Sequence, residues 1–120
     1  MKTIKVIFSL TIVLLLTTGL YGQTAAKNNQ PAAKTESFKV FGNCDMCKDR
    51  IEKGLKMDGI TKATWDDKTK MATVTYDPSK ITIDAMQKKV ASLGHDTEKY
   101  KAPDDVYAKL PGCCHYERAK

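Results

Sequence analysis

The chain has 120 residues, 42% of them hydrophobic, with 20 Lys and Arg against 14 Asp and Glu for a formal net charge of +6. That length has room for one small hydrophobic core and excludes a second. The positive excess is modest and has no Arg-rich run, and three Phe, five Tyr and one Trp give no stacking motif, so nucleic-acid binding is not expected.

Lys2 and Lys5 precede an apolar run from Val6 to Leu16, followed by small and polar residues through Gly22. This is the pattern of a secretory leader. The run is well short of the roughly 20 residues that span a bilayer, so residues 1–22 are expected to be a signal peptide, cleaved after Gly22 or alternatively after Ala25. Cleavage would take away two lysines and no acid, leave a mildly basic chain, and leave no membrane anchor. The expected location is periplasmic or secreted. Residues 23–35 contain no large apolar side chain and so cannot offset the entropy of ordering. They are expected to be a flexible linker.

Residues 36–100 are expected to form the domain. Phe38 and Val40 lie in a short β-prone run that ends at Gly42-Asn43, a pair suited to a sharp turn. Cys47, Ile51 and Leu55 then recur every four residues while Lys48, Asp49, Arg50, Glu52, Lys53 and Lys56 fill the other face, which predicts a one-sided helix ending by Asp58-Gly59. The runs Ile60 to Trp65 and Met71 to Tyr76, joined by a polar stretch from Asp66 to Lys70, predict an antiparallel hairpin. Thr82 offers a helix N-cap, Met86, Val90 and Leu93 share one helical face, and Gly94 supplies a left-handed end. A weaker strand is expected from about His95 to Tyr100. The order strand, helix, strand, strand, helix, strand is that of an α+β, ferredoxin-like βαββαβ sandwich, with a four-stranded antiparallel sheet and two helices on one face. Residues 101–120 are expected to be an extension outside this domain. In it Pro103-Asp104-Asp105 begins one or two helical turns, Pro111-Gly112 ends them, and Cys113-Cys114-His115 follows.

Cys44-Asp45-Met46-Cys47 falls where the first strand turns into the first helix. A helix start presents unpaired backbone N–H groups and the positive end of the helix dipole, which favour thiolates. Such cysteines bind metals or exchange disulfides. Two soft thiolates suit Cu(I) or Hg(II) and, with more ligands, Zn(II). A structural zinc site needs four ligands, and the only other thiols are Cys113 and Cys114, far downstream. That pair, with His115, is expected either to fold back and raise the coordination number or to enter disulfide chemistry; four cysteines allow three pairings, and spacing does not choose among them. No Ser/His/Asp set, phosphate loop or paired acids are visible, so an enzyme is not expected.

Residues 36–100 resemble the heavy-metal-associated domain family of copper chaperones, metal-ATPase N-terminal domains and the periplasmic mercury-binding protein. The matching residues are Gly42-Asn43-Cys44-Asp45-Met46-Cys47, Ile51 and Leu55, the run from Ala72 to Pro78, and Leu93-Gly94-His95-Asp96. The resemblance implies that Cys44 and Cys47 are the metal ligands. The family usually carries Gly-Met-Thr/Ser before the first cysteine; here Gly42-Asn43 is one residue shorter, and Met46 is expected to replace the missing loop anchor, with a thioether ligand as the alternative. His95 stands at a loop position from which some relatives add a ligand, against the plainer alternative of a solvated side chain. Asp45 resembles the acids beside the cysteines of zinc-selective relatives. Lys48, Arg50, Lys53 and Lys56 form either a solvated face or a surface steering an acidic partner.

The expected function is binding and handover of a soft metal ion, Cu(I) first, with Zn(II) or Hg(II) as alternatives. The expected partner is a metal donor or acceptor, such as a metal-transporting ATPase or efflux component, and the expected state a monomer or metal-bridged dimer. The rivals are a thiol-disulfide oxidoreductase and a mercury or zinc scavenger on the same fold.

Overall fold

The computed structural model describes residues 32–118 and Lys120. The expected leader and most of the expected linker lie outside the described residues. Strand β1 runs Lys34–Lys39, helix α1 Asp45–Gly54, β2 Ile60–Trp65, β3 Met71–Tyr76, α2 Ile83–Ser92 and α3 Asp104–Ala108, followed by a short 3-10 turn at Gly112–Cys114. No helix among the described residues is long and apolar enough to cross a membrane.

The sheet order is β1-β3-β2, antiparallel throughout. The β2–β3 hairpin turns as its polar loop predicts: Asp66 Oδ1 accepts the backbone N–H of Lys68 at 2.8 Å and of Thr69 at 3.0 Å. Alternation along β3 turns Ala72, Val74 and Tyr76 inward. Its other face carries hydroxyl pairs to β1, Thr35 to Thr75 and Ser37 to Thr73, each at 2.9 Å. Both helices therefore cover the same face of the sheet. Cys47, Ile51 and Leu55 of α1 and its end, with Met86 and Val90 of α2, close the core over Phe38, Val40, Trp65 and Val74, all essentially inaccessible to solvent.

Thr82 caps α2 as expected, its Oγ1 accepting the Ala85 N–H at 3.1 Å. Gly94 ends that helix region with φ +108, where a side chain would be strained.

Three expectations are corrected. The described sheet has three strands. Where the fourth was expected there is a single antiparallel bridge, Val40 to Thr97, flanked by the bonds Phe41 N–H to Asp96 O at 2.8 Å and Glu98 N–H to Lys39 O at 3.1 Å. The ladder stops there because Thr97 turns back on itself, its N–H bonding Tyr100 O at 2.8 Å, while His95 and Asp96 turn into the interior. Next, β1 begins at Lys34, inside the expected linker, since Lys34 and Thr35 pair with Tyr76 and Thr75. Ladder pairing with β3 orders what composition alone assigns to a linker. Third, residues 101–118 are not an appendage outside the domain: Leu110, Cys114 and Tyr116 belong to the buried core.

Candidate metal centre

The loop before α1 packs tightly against the first turn of that helix and against Trp65. A side-chain carbon added at Gly42 would meet Cys47 Cβ at 3.0 Å and the Trp65 indole at 3.1 Å, so only glycine lets the loop pass this close. Cys44 is the N-cap residue of α1, in extended conformation and with no side-chain cap bond. Its sulfur is thus left at a helix start whose N–H groups favour negative charge. Cys47, one turn on, is fully buried, and its Sγ accepts the Asn43 N–H at 3.4 Å.

The C-terminal segment brings the other two thiols to the same place. Cys44 Sγ lies 3.4 Å from Cys47 Sγ, 3.3 Å from Cys113 Sγ and 3.5 Å from Cys114 Sγ. The sulfurs of Cys44, Cys47 and Cys114 all lie within 4.8 Å of one another. Cys114 is buried, whereas Cys113 is exposed and faces Met46 Sδ at 3.5 Å. All four cysteines are free thiols.

Burial opposes ionisation of Cys44, but the Cys47 backbone N–H and the thiols of Cys113, Cys47 and Cys114 outweigh it, bringing its pKa down to about 7. Cys114 is pushed far up, first by burial and then by its contacts with Cys47 and Cys44. Cys113 is also raised, chiefly by its bond to Cys44. The surroundings thus favour a thiolate at Cys44 over one at Cys113 or Cys114, which suits a group that exchanges a proton for a soft cation.

The segment that carries Cys114 is fixed by polar contacts. Asn43 Nδ2 donates to His115 O at 3.1 Å, beside the thiols. Tyr116 OH donates to Gly94 O at 2.7 Å and accepts the Asp96 N–H at 2.7 Å. Arg118 forks onto the buried Asp96 carboxylate, Nη2 to Oδ1 at 2.8 Å and Nε to Oδ2 at 3.1 Å, and reaches Asp104 Oδ1 at 2.5 Å. Tyr116 and Arg118 carry no signal in the sequence that marks them as supports of a site. Only their nearness to the Cys-Cys-His run hints at it.

The remaining candidates sit elsewhere. His95 is fully buried rather than solvated; its Nδ1–H donates to Phe41 O at 2.9 Å and its ring stacks on Tyr116 with centroids 5.6 Å apart. It is not one of the three converging side chains. The His115 ring packs against Tyr107 at 5.2 Å, away from that convergence. Asp45 is exposed on the first turn of α1. Met46 is 51% exposed, so it is not the buried loop anchor that its position suggests; Gly42, Cys47 and Trp65 pack there without it. Lys48 is held by Glu52 Oε1 and Trp65 O, each at 2.7 Å.

Three thiols without a carboxylate among them make a soft donor set, matched to Cu(I) or Hg(II) rather than to hard cations. Comparison with known proteins points the same way. A mercuric transport protein periplasmic component from Shewanella putrefaciens is 39% identical over 70 residues, covering 57% of this chain and 77% of that protein. A copper-exporting P-type ATPase from Staphylococcus saprophyticus is also 39% identical over 70 residues, but the chain spans only 9% of its length. The solved structure of a CopZ metallochaperone superposes with a TM-score of 0.52 at 30% identity, covering 53% of this chain and 98% of that one. Residues 37–96 match the heavy-metal-associated domain, and the chain belongs to that family.

Proposed function

We propose that the chain is an exported metallochaperone that binds a soft metal ion, Cu(I) first and Hg(II) as the nearest alternative, through Cys44 and Cys47 and passes it to a partner protein. The observation that carries this is the 3.4 Å approach of the two sulfurs at the start of α1, with Cys44 ionising near neutral pH. Export rests on the leader-like run behind Lys2 and Lys5. The partner is a metal transporter or efflux component, in keeping with relatives named as copper-exporting ATPases and a mercuric transport protein. An open groove along α1 carries Arg50, Lys53, Lys56 and Lys89 against one acid, Asp49, with Met46 at its edge, and this basic excess suits an acidic docking surface.

Handover proceeds by ligand exchange. An incoming thiolate joins the ion before a resident one leaves, so no bare ion is released. The role of the chain is to hold Cys44 ionised and Cys47 aimed, and to keep water from the inner sulfur.

The test is a Cu(I) competition titration against a chromophoric chelator, with a phosphine reductant. The parent is expected to take up one ion, and Cys44→Ser/Cys47→Ser to lose it. A double variant that holds Cu(I) as tightly as the parent refutes the assignment. The same samples assayed for insulin reduction address the thiol-disulfide alternative, which predicts turnover in the parent and none in the double variant.

A further inference from the structure

We propose that the ion is held by three thiolates, Cys44, Cys47 and Cys114, and that the C-terminal segment is a clasp, already packed beside the metal loop, that supplies the third. This rests on the soft-metal function above and adds the coordination number and the source of the extra ligand.

Distance favours three ligands over two. With metal–sulfur bonds of about 2.3 Å, a trigonal site needs sulfurs about 4.0 Å apart and a linear pair about 4.6 Å. Cys44 lies 3.4 Å from Cys47 and 3.5 Å from Cys114. Trigonal geometry therefore asks the Cys44–Cys47 and Cys44–Cys114 pairs to open by roughly half an ångström each, whereas linear geometry asks Cys44–Cys47 to open by about twice that. A linear Cys44–Cys47 ion would still sit against the Cys114 sulfur, since the three lie within 4.8 Å of one another.

A buried cysteine often serves only as a small apolar filler. Cys114 differs because its sulfur faces two other sulfurs and because the backbone around it is anchored to the metal loop. Asn43, the residue before Cys44, holds His115 O, and Tyr116 and Arg118 tie the next residues to Gly94 and Asp96. The third ligand is in place before the ion arrives, so little ordering is lost on binding. Cys113, although its sulfur is 3.3 Å from that of Cys44, is exposed beside Met46 and is not one of the three thiols that all converge on one another.

Binding is proton exchange without oxidation: each ligand thiol still protonated releases its proton to solvent as its bond to the metal forms, and the ion keeps its charge. The three thiolates leave Cu(I) with two net negative charges, which the N-terminus of α1 helps to offset. On handover, a partner thiolate joins the ion before Cys114 leaves it, so at least three sulfurs hold the ion throughout.

X-ray absorption on the Cu(I)-loaded, monomeric full chain, with a phosphine as the only reductant, counts the sulfurs. Three are expected in the parent, two in Cys114→Ser and three in Cys113→Ser. The Cys114→Ser affinity for Cu(I) should fall by roughly ten- to hundredfold, at least the loss typical of an outer-sphere group. Two sulfurs in the parent, an unchanged count in Cys114→Ser, or a loss in Cys113→Ser overturns the clasp while leaving the Cys44/Cys47 function standing. Failure of the parent to bind Cu(I) overturns both. The parent and Cys113→Ser counts together decide the matter even if Cys114→Ser does not fold.

Discussion

A histidine held neutral inside so small a domain makes the fold sensitive to mild acid. Burial lowers the pKa of His95 below its ordinary 6.5; the bond to the Phe41 carbonyl opposes this, and the nearby Arg50 charge adds to it. With Nδ1–H donating to that carbonyl, Nε2 carries the lone pair and has no hydrogen-bond partner among the described residues. The unfolded chain takes up a proton at this position as pH falls through about 6.5, and the folded chain does so only lower. Stability contributed by the neutral ring is therefore present above 6.5 and declines as pH drops from there toward the folded value. Urea unfolding of the metal-free chain at pH 7.5 and 5.5 should show a loss that His95→Asn reduces. An equal loss in the variant would assign the effect to other groups. The histidine itself was legible in the sequence, but its loop position suggested solvent or metal. The aromatic wall that encloses it, Tyr116, comes from a segment with no local link to it.

Elements whose ends are set by neighbouring residues followed the sequence closely. Thr82 and Gly94 bracket the second helix because an N-cap hydroxyl and a left-handed glycine act within one turn of their own position. Thr82→Ala should cost about 1 kcal/mol, within a range of roughly 0.5–2 kcal/mol, read as a lower urea midpoint with an unchanged slope. Thr82→Ser should recover most of it. The hairpin is likewise local, with Asp66 organising the turn that the polar stretch signals. The expected last strand is the exception. Its residues share β propensity with the others, yet a strand exists only if a partner runs alongside, and the turn from Thr97 to Tyr100 takes the chain away after one bridge with Val40.

At the scale of the whole molecule, the C-terminal segment is the part whose energetics join fold and site. Asp96 is fully buried and Arg118 only 19% exposed, so the fork between them is an interior ion pair, supplemented by Arg118 Nη2 donating to Ala102 O at 2.5 Å. Removing one member of such a pair leaves a desolvated charge behind, which costs about 3–5 kcal/mol. Arg118→Ala is expected to lose stability on that order in chemical denaturation. Arg118→Lys should recover only part, because an ammonium cannot make the two-pronged contact. A surface-like loss below about 1 kcal/mol would show that the pair does not hold the segment.

The sequence by itself determined the position of Cys44 and Cys47 at a strand-to-helix turn, the order of the central elements, and the soft character of the ligands. Each depends on residue types a few positions apart, where turn chemistry, helical period and capping act directly. Only the tertiary structure decided that the sheet closes with three described strands, that Met46 faces out and His95 in, and that Cys114 meets Cys44 across 70 residues of chain. Those outcomes follow from which surfaces fit once the core has formed. Packing complementarity and a buried ion pair between distant segments leave no periodic trace along the chain.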